Sequence, residues 1–134
     1  MTVIQNDYKA ATHNEALSRL EPHEIKAITA AALSLRNDLS AEINILLFGS
    51  RAIRTHRSNS DYDMLCIIPD NLPQDSDWDQ ITERAERAMS TAISEAEAHI
   101  QIIAESSLEY AYFEFAFIPS ALRDGIDLAK LYKC

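Results

Sequence analysis

The residues best equipped for chemistry lie in one stretch, Phe48 to Met64. The apolar run Ile43-Asn44-Ile45-Leu46-Leu47-Phe48 reads as a strand and ends on Gly49-Ser50. Glycine carries no side chain, so a phosphate can approach the backbone there. Ser50 adds a hydroxyl and an amide. A short helix starting at this point would aim its free N–H groups at the same spot, an arrangement that favours anions. Ten residues, 51 to 60, separate Ser50 from Asp61, and Asp63 comes two positions later. If Asp61 to Ile68 is a strand, the two carboxylates share a face about 6.6 Å apart. They could then bind Mg²⁺, which prefers hard oxygen ligands and keeps phosphate oxygens in its shell. Without a cation, such a pair is poorly placed: like charges repel and Asp is a weak strand former. Either half of this pattern is common alone. A second acidic group, Asp75-Ser76-Asp77-Trp78-Asp79, reads as loop and helix N-terminal acids. The two halves together carry the weight, in a chain with only two glycines.

Several elements must position this stretch. Pro22 suits the first turn of a helix, and Ile25, Ile28, Ala32, Leu35 and Leu39 recur at helical spacing behind it. Residues 51–57 read as a short helix or turn, 58–60 as a polar loop, and 70–76 as a loop containing Pro73. A long helix is expected from Asp77 to Ala98, with Ile81, Ala85, Ala88, Met89 and Ala92 buried, then a third strand from His99 to Ala104. Ser106 or Ser107 is expected to cap the next segment. Residues 108–118 are apolar without a clear period. A short helix over Pro119 to Arg123 would end at Gly125. Residues 1–13 read as loosely ordered, with a possible short helix from Asn14 to Leu20. The sum is a small mixed sheet with helices packed against it, an α/β (α+β) domain spanning residues 1–134.

Composition narrows the function classes. The chain has 134 residues, 47% of them apolar, enough for one domain with one core. No apolar run approaches the ~20 residues that span a bilayer. Met1 to Lys9 lacks the pattern of a secretion signal, so a cytoplasmic location is expected. Cys66 and Cys134 form no disulfide framework and no zinc spacing. The net charge of −9 argues against direct nucleic-acid or membrane binding and fits a basic protein partner. It also means that a bound triphosphate needs a cation, local donors, or both.

The stretch at residues 48–64 resembles the signature of the minimal nucleotidyltransferases of the polymerase-beta superfamily. The order of elements and the Leu122-Arg123-Asp124-Gly125-Ile126 ending resemble the same family. The resemblance implies a polymerase-beta-like fold and metal-dependent transfer of a nucleoside monophosphate, with ATP as the usual substrate, to a hydroxyl. It implies that Gly49 and Ser50 hold the triphosphate, that Asp61 and Asp63 bind Mg²⁺ and carry catalysis, and that Arg51 and Ser60 make further phosphate or loop contacts. There are two departures. The family often has glycine where this chain has Arg54. Active members place a third carboxylate on the next strand, where Gln101 aligns here, with His99 on the same face and Glu105 just beyond the strand. Such a carboxylate helps activate the attacking hydroxyl.

The short chain resembles in particular the antitoxin of HEPN/MNT toxin–antitoxin pairs. That resemblance implies a HEPN ribonuclease toxin as partner, neutralised by adenylylation of a tyrosine. Gln101 motivates a second reading, a degenerate nucleotidyltransferase acting by binding alone. A third is half of a split small-molecule nucleotidyltransferase. Three further features stand apart. His56 reads as a loop histidine or a phosphate contact. Arg54 and Arg57 flank it and suit a triphosphate or serve as surface charge. Tyr110, Tyr112, Phe113, Phe115 and Phe117 concentrate half of the chain's aromatics and read as core or as a partner surface.

Overall fold

The computed structural model describes residues 18–39, 43–70, 77–93 and 97–128. The expectations for residues 1–13, for the start of the Asn14–Leu20 helix, for the loop at 71–76 and for Cys134 lie outside the described residues.

Helix α1 (Pro22–Leu39) begins as its sequence dictates. Pro22 occupies the first position, and Glu24 reaches back to accept the Glu21 N–H at 2.9 Å, one half of a capping box. Strand β1 (Asn44–Phe48) runs into helix α2 (Ser50–Ile53), a single turn. Strand β2 (Tyr62–Ile68) comes next, then helix α3 (Trp78–Ala92) and strand β3 (Ala98–Ala104). A 3₁₀ turn over Glu105–Ser107 leads to helices α4 (Leu108–Glu114) and α5 (Phe117–Asp124) and a last, two-residue strand β4 (Ile126–Asp127).

The four strands form one mixed sheet in the order β3-β2-β1-β4. β1 pairs antiparallel with β2 and β4, while β2 and β3 run parallel through the crossover helix α3. Strand alternation sorts the core into two layers. Ile45 and Leu47 of β1, with Tyr62, Met64, Cys66 and Ile68 of β2, face α1 and α3. Leu46, Phe48, Leu65 and Ile67 face the other way, against Leu108, Ile118 and Leu122 of α4 and α5. Burial on both faces explains why the central strands read as unbroken apolar runs. Cys66 is fully buried, and burial pushes its thiol up to about 12, so it packs as a small hydrophobe.

Four expectations change in detail. β2 begins at Tyr62, so Asp61 sits just before the ladder. The helix expected from Asp77 to Ala98 ends at Ala92, and Asp77 is its N-cap, accepting from the Gln80 N–H at 3.2 Å. The untyped segment 108–118 resolves into α4 and the start of α5, and Ser107 caps α4 only through its backbone position. Gly125 ends α5 without a left-handed conformation (φ −71°). A side chain is excluded there because a Cβ would collide with the Ala121 carbonyl oxygen and lie 3.0 Å from that of Leu47.

Candidate active site

The site starts from the corner at Gly49, between β1 and α2. Gly49 has φ 76° and ψ −160°, a region essentially closed to side-chain-bearing residues. A Cβ here would lie 2.8 Å from Asp63 Oδ2. Glycine is therefore required twice, for its backbone and because the carboxylate of the neighbouring strand occupies the space. The register explains the contact: Phe48 is the Cα partner of Asp63, so the acid stands beside the corner. α2 opens on this corner at Ser50; the Ala52 and Ile53 N–H groups already donate to the Gly49 carbonyl at 3.0 and 3.3 Å, so only those of Ser50 and Arg51 are left to face a ligand.

Asp63 is half-buried. Burial pushes its carboxyl up, His99 opposes the rise, and the nearby charge of Asp61 adds to it. Asp61 is more exposed and turns towards β3, where its Oδ2 lies 3.0 Å from His99 Nε2. Glu97 Oε2 lies 3.9 Å from the same nitrogen. The donor atoms of Asp61, Glu97 and His99 all fall within 4.8 Å of one another. The two motif acids thus divide: Asp63 faces the glycine corner, and Asp61 faces a histidine and a third carboxylate. Oxygen and imidazole donors this close together could hold a divalent cation, and the corner beside them is too tight for a methyl group.

The parallel register shows how β3 stands against the acids. His99, not Gln101, is the Cα partner of Asp63, and Gln101 pairs with Leu65, one step further from the corner. Glu105 lies beyond β3 in the 3₁₀ turn.

Arg51 and Ser60 act in the loop. The Arg51 side chain is buried and spans the excursion between α2 and β2. Its Nε and Nη2 donate to the Ser60 carbonyl at 3.0 and 2.9 Å, and Nη2 also donates to that of Ser58 at 3.1 Å. The guanidinium lies 4.4 Å from the Tyr62 ring centroid. Ser60 Oγ accepts from the Arg57 N–H at 2.8 Å. Arg51 holds the loop that delivers Asp61: Nε and Nη2 are spent on its backbone carbonyls, and Nη1 turns to Glu24 at 3.7 Å.

Sequence reading missed the centre of this support. Glu24, in the first turn of α1, is 1% exposed. It accepts from Arg54 at 2.9 and 3.2 Å and from the Tyr62 hydroxyl at 2.7 Å, and lies 3.7 Å from Arg51. Burial pushes the Glu24 carboxyl up, but the hydrogen bonds from Arg54, Glu21 and Tyr62 and the charge of Arg54 outweigh it and bring it to about 2. Tyr62 is correspondingly raised, by burial first and then by Glu24. Arg54 has φ 66°, the left-handed conformation that glycine adopts freely, at the position where the resembled family often carries glycine. His56 packs beside these arginines with Nδ1 buried, and burial followed by the charges of Arg54 and Arg51 pushes its pKa down, against the charge of Glu24 and the Ser50 backbone.

A strand ending in a glycine corner, a helical turn opening on it and acids returning on the next strand define a class. It is the class that holds a polyphosphate between backbone donors and cation-binding carboxylates. The sequence model of the nucleotidyltransferase domain matches residues 28–128, most of the chain, and the chain belongs to that family. A solved structure from Sulfolobus solfataricus, classed provisionally as a nucleotidyltransferase, is 14% identical over 78% of each chain, with a TM-score of 0.47. No curated protein sequence matches the chain. No helix among the described residues is long and apolar enough to cross a membrane.

Proposed function

We propose that this chain transfers AMP from ATP to a hydroxyl of a partner protein, as the antitoxin that neutralises a HEPN ribonuclease toxin. The observation that carries the transfer reaction is the Asp63 carboxylate packed into the space a Gly49 side chain would occupy, at the mouth of α2. Gly49 and Ser50 receive the triphosphate on backbone and hydroxyl donors. Asp61 and Asp63 would hold a divalent cation, Mg²⁺ in the ordinary case, which would supply charge neutralisation of the phosphates. Arg51 and Ser60 keep Asp61 in place. The acceptor hydroxyl bonds to the α-phosphorus in line as the bond to pyrophosphate breaks, and its proton is released to the carboxylates of the site.

Support for a protein acceptor comes from the surface. Tyr110, Phe113 and Phe115 are 69%, 70% and 52% exposed, while Phe117 stacks on Phe48 at 5.6 Å, next to the Asp63 register position. Exposed aromatics on α4 and its C-terminal end, beside the active edge, fit a protein interface better than a core. The test is incubation of the chain with ATP, Mg²⁺ and the candidate toxin, followed by mass measurement of the toxin. An adenylyl adduct that Asp61→Ala abolishes supports the proposal. Absence of any adduct on toxin or other protein overturns it.

A second reading rests on β3, where neither residue on the face shared with the acids, His99 or Gln101, is a carboxylate. A nucleotidyltransferase fold that silences its partner by contact alone would have this feature. Inhibition of the toxin that persists in Asp61→Ala without ATP would favour it.

A further inference from the structure

We infer that His99 is a ligand of the site's divalent cation, and that its imidazole moves the site's preference from Mg²⁺ towards a first-row transition cation such as Mn²⁺. The inference rests on the nucleotidyltransferase reading above and assigns one residue within it.

Register supplies the first argument. Parallel pairing of β2 and β3 sets His99 opposite Asp63, and its Nε2 reaches Asp61 Oδ2 at 3.0 Å. The backbone fixes this meeting, because the Tyr62 N–H donates to the Glu97 carbonyl at 2.8 Å and ties together the starts of both strands. Asp61 and Glu97 each lie one residue before their strand and therefore emerge side by side.

Spacing supplies the second. Around a cation with ligand bonds near 2.1 Å, neighbouring donors stand about 3.0 Å apart and opposite donors about 4.2 Å. His99 Nε2 lies 3.0 Å from one carboxylate oxygen and 3.9 Å from a second. An ordinary hydrogen bond accounts for the first contact but not for the second carboxylate, which is too distant to accept from the ring. A charged imidazole would also draw both acids; what a cation adds is a partner that all three donor atoms, within 4.8 Å of one another, can reach at once.

Chemistry supplies the cation. Mg²⁺ demands an octahedron of oxygens and gives up water reluctantly, while imidazole suits the first-row transition ions. Replacing an oxygen donor by nitrogen therefore penalises Mg²⁺ relative to Mn²⁺.

His99 is about half exposed, so its substitution should leave the fold intact, and a melting curve checks this. The full chain is loaded with Mn²⁺, with and without ATP, and pulsed EPR reads the nitrogen coupled to the metal. The wild type should show a directly bound imidazole nitrogen that is absent in His99→Asn. Competition between Mn²⁺ and Mg²⁺ should show a Mn²⁺ preference that falls about tenfold or more in His99→Asn and reverts towards Mg²⁺ in His99→Asp. Mn²⁺ bound without nitrogen coupling, or an unchanged preference in both variants, overturns the role of His99 and leaves the nucleotidyltransferase reading standing. No Mn²⁺ bound by the wild type under either condition overturns both.

Discussion

At the scale of single residues, Gly49 shows how a short motif becomes a site. Its conformation and its contact with Asp63 are separate demands, and alanine violates both. The backbone term alone costs about 1–3 kcal/mol. The methyl group must also displace the Asp63 carboxylate, the larger functional loss. Gly49→Ala is therefore expected to remain folded, with a melting temperature lowered by several degrees, and to lose ATP-dependent transfer almost completely. Calorimetry and a transfer assay on the same preparation check the two halves. Transfer at wild-type rate in the variant would mean that the corner does not hold substrate. This residue was legible in the sequence because a glycine between a strand and a serine is a local signal, and so was the acid pair ten residues on. The partner of Asp63 was not. His99 and Gln101 lie on the same face of their strand, and only the register of a parallel pairing, set by the length of the α3 crossover, decides which one stands opposite.

At the scale of elements, the loop that carries Asp61 is tied to a helix distant in sequence. Glu24 in α1 gathers Arg54 from the end of α2 and Tyr62 from the start of β2, the two ends of the excursion that carries Asp61. The sequence hides this tie, since an acid in the first turn of a helix reads as a response to the macrodipole. Arg54 makes the same point. A left-handed residue bearing a side chain costs about 1 kcal/mol, and its two bonds to a buried carboxylate offset that cost. Removing Glu24 would take the carboxylate from the half-buried Arg54 guanidinium and leave the buried Tyr62 hydroxyl without its acceptor, so Glu24→Ala is expected to cost about 3 kcal/mol in urea unfolding. Arg54→Gly, although it relieves the backbone, should be destabilising as well, because it strands the Glu24 charge. Stabilisation by Arg54→Gly would show the tie to be unimportant. The tie also sets an acid limit. Glu24 has its folded pKa depressed to about 2 from an ordinary 4.5, so its contribution is complete above pH 4.5 and is lost as pH falls towards 2. The loss should amount to a few kcal/mol, and Glu24→Gln should flatten the stability curve across that window.

At the scale of the whole molecule, sheet and charge together decide what the protein can meet. Helices packed against one sheet were legible from apolar runs, and so was most of α5, expected over Pro119–Arg123; the burial of the sheet on both faces, α4 and β4 were not. Exposed rings interrupt the helical period over residues 108–118, and a strand of two residues leaves no pattern. The same exposed rings bear on function. Tyr110, Phe113 and Phe115 contribute little to the interior, so replacing Tyr110 and Phe113 by serine should change the melting temperature by no more than a few degrees, as exposed positions do. The core of a protein interface behaves differently, since aromatic anchors in such places commonly carry about 2 kcal/mol or more each. The double variant is therefore expected to bind the toxin at least about 30-fold more weakly, while ATP binding at the Gly49 corner is retained. The acidic chain, at −9, should also associate with a basic partner more slowly as salt rises, so the aromatic and ionic contributions separate as an off-rate and an on-rate. Kinetic measurement of toxin binding across a salt series distinguishes them: the serine variant should raise the off-rate at every salt concentration and leave the salt slope of the on-rate unchanged. If instead the double variant binds as tightly as the wild type, the proposed partner surface lies elsewhere, and the proposed acceptor hydroxyl would have to reach Asp61 and Asp63 from another side of the molecule.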